Sequence, residues 1–239
     1  VNSFQGGEPL TFLYLEEENY IRKLRAINFF NSNFRRDNIK LKPQNNKKIR
    51  IGYISHNFIF HPVSFLISGV IKKHNREEFE IYGYSINAKK DKITEKISKT
   101  FDFYRDISVK SDDEAVNIIR SDNLDFIIDL MGYTSGSRMG ILSKKVAPIQ
   151  ISYLAYPSTT GSDQIDYFLA DKYVIPEKEV NNFTEKVINI PGTFMCFDDT
   201  TKISEKSTKN HFYNLKQKSF ILVAFHRPQK LNIKTVSCW

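Results

Sequence analysis

From residue 49 onward the sequence alternates strand-like and helix-like patterns, and this alternation restricts the fold more than any other feature. The β-prone "IRIGYI" at 49–54 gives way to a helical pattern over 62–73, with Val63, Leu66, Ile67, Val70 and Ile71 along one side. "FEIYGYS" is a second strand, 92–99 a short helix and "FDFYRDI" a third strand. Ser111-Asp112-Asp113-Glu114 is a capping box that opens a helix with Ala115, Ile118 and Ile119 on one face. "DFIIDLM" is apolar enough to be a strand buried on both sides. A short helix at 138–143 leads to a fifth strand, "PIQISYLAY"; "YFLA" and "VINI" are two more. "SFILVAF" predicts a further strand over 220–225, the opening of a second α/β unit. Such alternation predicts an α/β, Rossmann-like parallel sheet wrapped by helices.

Upstream, 9–34 carries Leu13, Leu24, Ile27 and Phe30 at helical spacing, and the polar stretch 35–48 with Pro43 is a linker. Three segments follow: a helical connector and linker at 1–47, a Rossmann-like lobe at 48–197, and 198–239 as an inter-lobe segment with the start of a second lobe. At 239 residues the chain can bury a proper core. It has no apolar run near the ~18 residues of a membrane span and no signal-like start, so no membrane partner is expected. Cys196 and Cys238 lack CxxC spacing and no Cys/His cluster accompanies them. Neither a disulfide framework nor a metal site is predicted, and a reducing, cytoplasmic setting is expected. A net charge of +8 suits phosphate groups, but no recognition-helix or RNA-binding aromatic signature accompanies it. A nucleotide substrate is expected rather than a nucleic-acid partner.

In a parallel sheet, ligands bind beyond the carboxyl ends of the strands. The first loop there is "SHNFIFHP", in which Pro62 opens a helix and His61 takes the capping position. An imidazole with an ordinary pKa of ~6.5 can accept a proton near neutrality; a plain capping or packing role accounts for the loop as well. His56 could line the same loop, whereas His74 and His211 lie in surface-like contexts. The second loop, "GYTSGSR", has Gly132 and Gly136 for close backbone approach and hydroxyls at Thr134, Ser135 and Ser137. It is neither a phosphate loop nor GxGxxG, and a capped turn would also explain it. The third, "LAYPSTTGS", has the small and hydroxylic residues that let backbone touch a sugar or phosphate. In "FHRPQKLN", Arg227 and Lys230 could meet an anion or be solvated surface charge. Asp125 and Asp129 flank the fourth strand, in structural or catalytic roles.

Taken in order, "KIRIGYISHNFIFHPVSFLI", "FEIYGYS", the run from "DFIIDLMGYTSGSR" through "APIQISYLAYPSTTGS" to "DKYVIP", "EKVINIPGTF" and "FHRPQKLN" resemble the catalytic region of the O-linked N-acetylglucosamine transferase family. That family also contains SPINDLY-type fucosyltransferases. The resemblance implies the N-terminal lobe of a GT-B glycosyltransferase, preceded by a helical connector that follows tetratricopeptide repeats. It implies inverting transfer from UDP-GlcNAc to serine or threonine hydroxyls of proteins, with neither metal nor other cofactor. His61 matches the family's proposed base, and Lys230 the lysine that neutralises the departing diphosphate. Thr134, Leu154 and Ala155 match the sugar and phosphate pocket; Tyr133 and Arg227 complete the expected substrate-binding set. Met131 departs from an asparagine, Phe65 from a second histidine, and Ala155 and Ser158 from the glycines of "GYPGT". These departures bear on acceptor and sugar choice, and leave GDP-fucose transfer or a non-catalytic scaffolding lobe as alternatives. Most of the family's nucleotide contacts lie in the second lobe, so the 239 residues alone are expected to be inactive.

Overall fold

The first strand, β1 (Ile49–Ser55), is apolar on both sides: Ile51 and Tyr53 face one core cluster and Ile54 the other. Gly52 lets the layer behind it close up, since a Cβ there would stand 2.6 Å from Leu124 Cδ1. The computed structural model describes residues 8–15, 18–37, 39–43, 45–200, 202, 222–225, 228, 231 and 233–239. The chain divides into two units, Val1–Asp199 and Thr200–Trp239. In the second, the described residues form one short helix, α7 (Ile233–Ser237). Of the strand predicted over 220–225, residues 222–225 are not in a strand and 220–221 lie outside the described residues.

In the first unit β1 is followed by α3 (Pro62–Lys73), β2 (Phe79–Ser85), α4 (Lys92–Ser98) and β3 (Phe103–Asp106). Then come α5 (Asp112–Ser121), β4 (Phe126–Asp129), α6 (Met139–Leu142), β5 (Ile149–Ser152), β6 (Tyr167–Ala170), a 3₁₀ helix (Glu177–Asn182) and β7 (Lys186–Asn189). The seven strands make one sheet in the order β3-β2-β1-β4-β5-β6-β7, with every pair parallel. Its first six strands have the Rossmann order.

Helix starts follow the residues that satisfy their orphan amides. Asp91 accepts from Ile93 N–H (2.8 Å) and Thr94 N–H (3.0 Å), while Thr94 Oγ1 receives Asp91 N–H. Ser111 and Glu114 form the expected reciprocal box at α5. One face of the sheet is covered by α3 and α4, through Ile67, Ile71 and Ile97. The other is covered by α5 and α6, through Ala115, Ile119 and Ile141. The upstream run 9–34 contains two helices, α1 (Pro9–Phe12) and α2 (Asn19–Asn33). Phe30 of α2 is fully buried in the α5/α6 cluster, so the helical segment packs on the lobe.

Two expectations are corrected. The fifth strand ends at Ser152 rather than Tyr156, because Leu154 adopts a φ of +79° and the chain turns there. His74 is not a surface residue: it is half-buried, and its Nε2 pairs with Tyr53 Oη at 2.8 Å.

Candidate functional site

The order in which strands are added reverses at the middle of the sheet. From β1 the chain works outward through β2 and β3, then returns to β4, on the other side of β1, and works outward through β7. The loops leaving β1, β4 and β5 therefore stand side by side along one rim, and the crevice where ligands of such sheets bind lies between β1 and β4.

In the loop after β1, His61 is the N-cap of α3 and its Nδ1 accepts the Val63 N–H at 3.2 Å. While that bond holds, the neutral ring carries its proton on Nε2. The capping role considered for His61 is thus realised, and a proton-accepting role requires the ring to leave the cap or exchange its proton. Phe60 and Phe65 flank it as an exposed edge-to-face pair, centroids 5.4 Å apart. His56 is fixed by Asn87 of the β2 loop, whose amide donates to the His56 carbonyl at 3.0 Å. The His56 ring lies flush on the β4 loop, since a Cβ at Gly136 would meet it at 2.5 Å.

The loop after β4 winds around a buried carboxylate. Asp129 accepts Met131 N–H (2.9 Å) on one oxygen and Gly132 N–H (2.8 Å) on the other. Burial pushes its pKa up to about 7, against the opposing pull of those two amides. Gly132 (φ +53°) has no room for a side chain, its Cβ position being 2.3 Å from Tyr156 Cβ. The Met131 sulfur accepts from Ser55 Oγ (3.5 Å), His56 N–H (3.3 Å) and Asn57 Nδ2 (3.4 Å). A weak acceptor thus ties the first loop to the second. Thr134 Oγ1 donates to the Met131 carbonyl at 2.8 Å, and Tyr133 Oη to the Thr160 carbonyl at 2.6 Å. Tyr133 is buried against Phe29 and Tyr156, so its hydroxyl joins the second loop to the third.

The loop after β5 is held from both ends. Leu154 is buried with Phe58, Val63 and Leu130, in the cluster beneath the first loop, and Ala155 is half-buried beside it. A positive φ is rare for a bulky residue and marks a backbone held by its surroundings. At the far end Glu185 of the β7 approach, only 3% exposed, accepts from Thr159 Oγ1 (2.6 Å), Thr160 N–H (2.7 Å) and Thr160 Oγ1. Gly161 (φ +68°) presses on α2, where a Cβ would stand 2.2 Å from the Ala26 carbonyl carbon.

The loops that carry His61, Thr134 with Tyr133, and Leu154 with Ala155 thus leave three neighbouring strands along one rim, tied by His56 against Gly136 and by Leu154 in the cluster with Val63. Arg227 and Lys230, like His211, lie outside the described residues. Asp125 is structural: it accepts the Arg50 N–H at 2.9 Å. A cavity of about 320 Å³ opens beside the β4 loop, lined by Thr134, Ser135, Ser137 and the Tyr133 ring, and another of about 270 Å³ beside the β5 loop. His61 lines neither. Sequence reasoning missed Glu185, Asn57 and Asn87, none of which sits in a pattern that points at a loop 25 or more residues away.

A doubly wound parallel sheet with three loops gathered along the rim at its switch point belongs to the class of Rossmann-like lobes. The sequence matches Glycosyl transferase family 41 over residues 21–235, and the chain belongs to that family. It is 33% identical over 199 residues to the probable UDP-N-acetylglucosamine–peptide N-acetylglucosaminyltransferase SEC of Arabidopsis thaliana, covering 81% of this chain and 20% of that protein. It is 32% identical over 168 residues to the UDP-N-acetylglucosamine–peptide N-acetylglucosaminyltransferase of Caenorhabditis elegans, covering 70% of this chain and 15% of that one. A probable enzyme of the same name, SPINDLY of Petunia hybrida, is 26% identical over 198 residues, covering 81% of this chain and 21% of that protein. A solved O-GlcNAc transferase mutant from Thermobaculum terrenum shares the fold at a TM-score of 0.72 and 24% identity, over 78% of this chain and 37% of that chain. The chain spans about a fifth of the length of the curated relatives it matches. Among the described residues no helix is long and apolar enough to cross a membrane.

Proposed function

We propose that this chain is the acceptor-side lobe of a protein O-glycosyltransferase that moves N-acetylglucosamine from UDP-GlcNAc to serine or threonine hydroxyls. The observation that carries the reading is the convergence of the His61, Thr134 and Ala155 loops at the switch point. The relatives' names, which carry this donor and a peptide acceptor, support the choice of substrate. The proposed step is a single displacement with inversion. The acceptor oxygen bonds to the anomeric carbon as the bond to the diphosphate breaks, and the hydroxyl proton passes to a base. His61 is the proposed base, acting through the nitrogen that caps α3 once the ring turns from Val63. Lys230 is proposed to take the negative charge that develops on the diphosphate, a kind of stabilisation worth roughly 3–4 kcal/mol of barrier. Thr134, Leu154 and Ala155 would shape the sugar side.

His61→Asn tests the assignment, because asparagine caps helices well and so preserves the α3 start while removing the imidazole. In the protein expressed in full from its gene, with UDP-GlcNAc and an acceptor peptide, UDP release should fall about 10²–10⁴-fold. Thermal unfolding should be nearly unchanged. Undiminished UDP release in the folded variant would remove His61 from the chemistry; release of GDP from GDP-fucose but no UDP would overturn the donor.

A further inference from the structure

Phe60 is 76% exposed and Phe65 42%, and the two rings meet edge to face on either side of His61 in the sequence. Neither belongs to a core cluster, since α3 packs through Val63, Ile67 and Ile71. Single exposed apolar residues are ordinary, but a pair of large rings beside a candidate site marks a contact surface.

The neighbouring helix supplies charge. The Phe60 N–H donates to Asp91 Oδ2 at 2.7 Å while Asp91 Oδ1 caps α4, so the first loop is pinned to the start of that helix. Thr94 and Ile97 are the buried side of α4. Lys92, Lys96 and Lys99 follow one another at i, i+4 and i+7 on its exposed side, and Lys89 is exposed just before the cap. Among the described residues none of these four lysines enters an ion pair, whereas Lys90 is held by Asp106 at 2.9 Å. Asp91 is engaged by the backbone amides of Phe60, Ile93 and Thr94, which leaves Glu95 as the one other acid on this element. The stripe from Lys92 to Lys99 is about 10 Å long, the length of about three residues of extended chain.

The two features together define a partner. A row of unpaired ammonium groups calls for carboxylates, and the ring pair calls for an apolar side chain next to them. A polypeptide carries both on one chain, and one that brings a serine or threonine hydroxyl to His61 has to pass the rings.

We infer that Phe60, Phe65 and the lysine face of α4 form the docking surface for the acceptor polypeptide. They select a segment with an apolar residue beside the modified hydroxyl and a short run of aspartate or glutamate beyond it. The acceptor role rests on the transferase reading; recognition of an acidic, apolar segment does not.

The test uses the protein expressed in full from its gene and a fluorescent acceptor peptide in four forms: leucine or glycine beside its serine, and three glutamates or three glutamines beyond. The run is placed on each side of the serine in turn. Anisotropy should show the glutamate form binding about tenfold tighter than the glutamine form, the sum of three exposed ion pairs. That advantage should fade toward ~1 M salt, where the Debye length is ~3 Å. Leucine should gain about tenfold over glycine, and Phe60→Ser with Phe65→Ser should erase that gain alone. Lys92→Glu with Lys96→Glu should reverse the charge preference, so that a form with three lysines binds best; a helix that had merely lost stability could not reverse it. KM for UDP release should follow the same order. Equal binding of the glutamate and glutamine forms overturns the inference whether or not UDP is released. Tighter binding of a uridine oligonucleotide, lost in the lysine variant, would give the face to nucleic acid and also overturn it. Preferential binding of the glutamate form with no UDP release from any peptide overturns the transferase reading instead and leaves the docking surface in place.

Discussion

Replacing Glu185 by glutamine changes one atom, yet the hydrogen-bond inventory around it opposes the exchange. Thr159 Oγ1 already accepts from Gly161 N–H (3.2 Å) and Thr184 N–H (3.0 Å), so both its lone pairs are used, and its one proton points to Glu185 Oε2 at 2.6 Å. Glu185 Oε1 faces the Thr160 N–H at 2.7 Å, a donor that cannot rotate. With its NH₂ at the Oε1 place the glutamine opposes the Thr160 N–H; at the Oε2 place it can donate to Thr184 Oγ1, 3.2 Å away, but the short bond from Thr159 is lost. Losing one short hydrogen bond to a buried carboxylate costs about 2 kcal/mol. For a chain of this size that is roughly 4–8 °C in unfolding temperature. Glu185→Ala strands the Thr160 N–H outright and opens a void, for a loss of about 4 kcal/mol. The assay is urea unfolding of the 239-residue chain, with hydrogen exchange at the Thr160 amide as the local readout and Glu177→Gln, on the exposed 3₁₀ helix, as a control near zero. If Glu185→Gln lies within about 0.5 kcal/mol of the parent, the span of an ordinary surface substitution, the requirement for an acceptor-only group is wrong.

Gly161→Ala should destabilise by roughly 2–5 kcal/mol, combining a left-handed side chain with overpacking against α2. It should also raise α2 amide exchange, and normal stability would mean that α2 does not bear on the loop. His74 carries the pH dependence that can be read with a sign. Burial, aided by the Arg76 guanidinium, holds its pKa below 6.5, so the unfolded chain binds its proton more readily than the folded one. Stability from this group is present above pH ~6.5 and is lost as pH falls from there toward the depressed folded value. His74→Gln should flatten the unfolding temperature between about pH 7.5 and 5.5; an unchanged slope would place the titration elsewhere.

The sheet was legible because strands buried on both faces must be largely apolar, as 126–128 are, and because Ser111 and Glu114 announce a helix start in four letters. His61 was legible as a cap for the same local reason: a polar ring before Pro62 has few other places to go. The rim's fastenings were not. Met131 reads as an apolar core residue, and its sulfur is an acceptor only because Ser55 and Asn57, more than 70 positions earlier, are brought beside it by the pairing of β1 with β4. Glu185 reads as one more surface charge before a strand. Only the addition of β6 and β7 beyond β5 buries it under the threonines of "PSTTGS".

The two fastenings differ in strength, and that difference bears on how the rim works. The third loop hangs on a carboxylate with short charge-assisted bonds and is braced by α2 and by the Tyr133 hydroxyl. Its geometry is set before any ligand arrives. The first and second loops meet across a thioether at 3.3–3.5 Å, where each contact is weak and an asparagine in the same place would accept more strongly. The third loop is therefore rigid, while the junction between the first two can shift at little cost. That is the side on which the proposed mechanism has the imidazole leave its cap to take a proton.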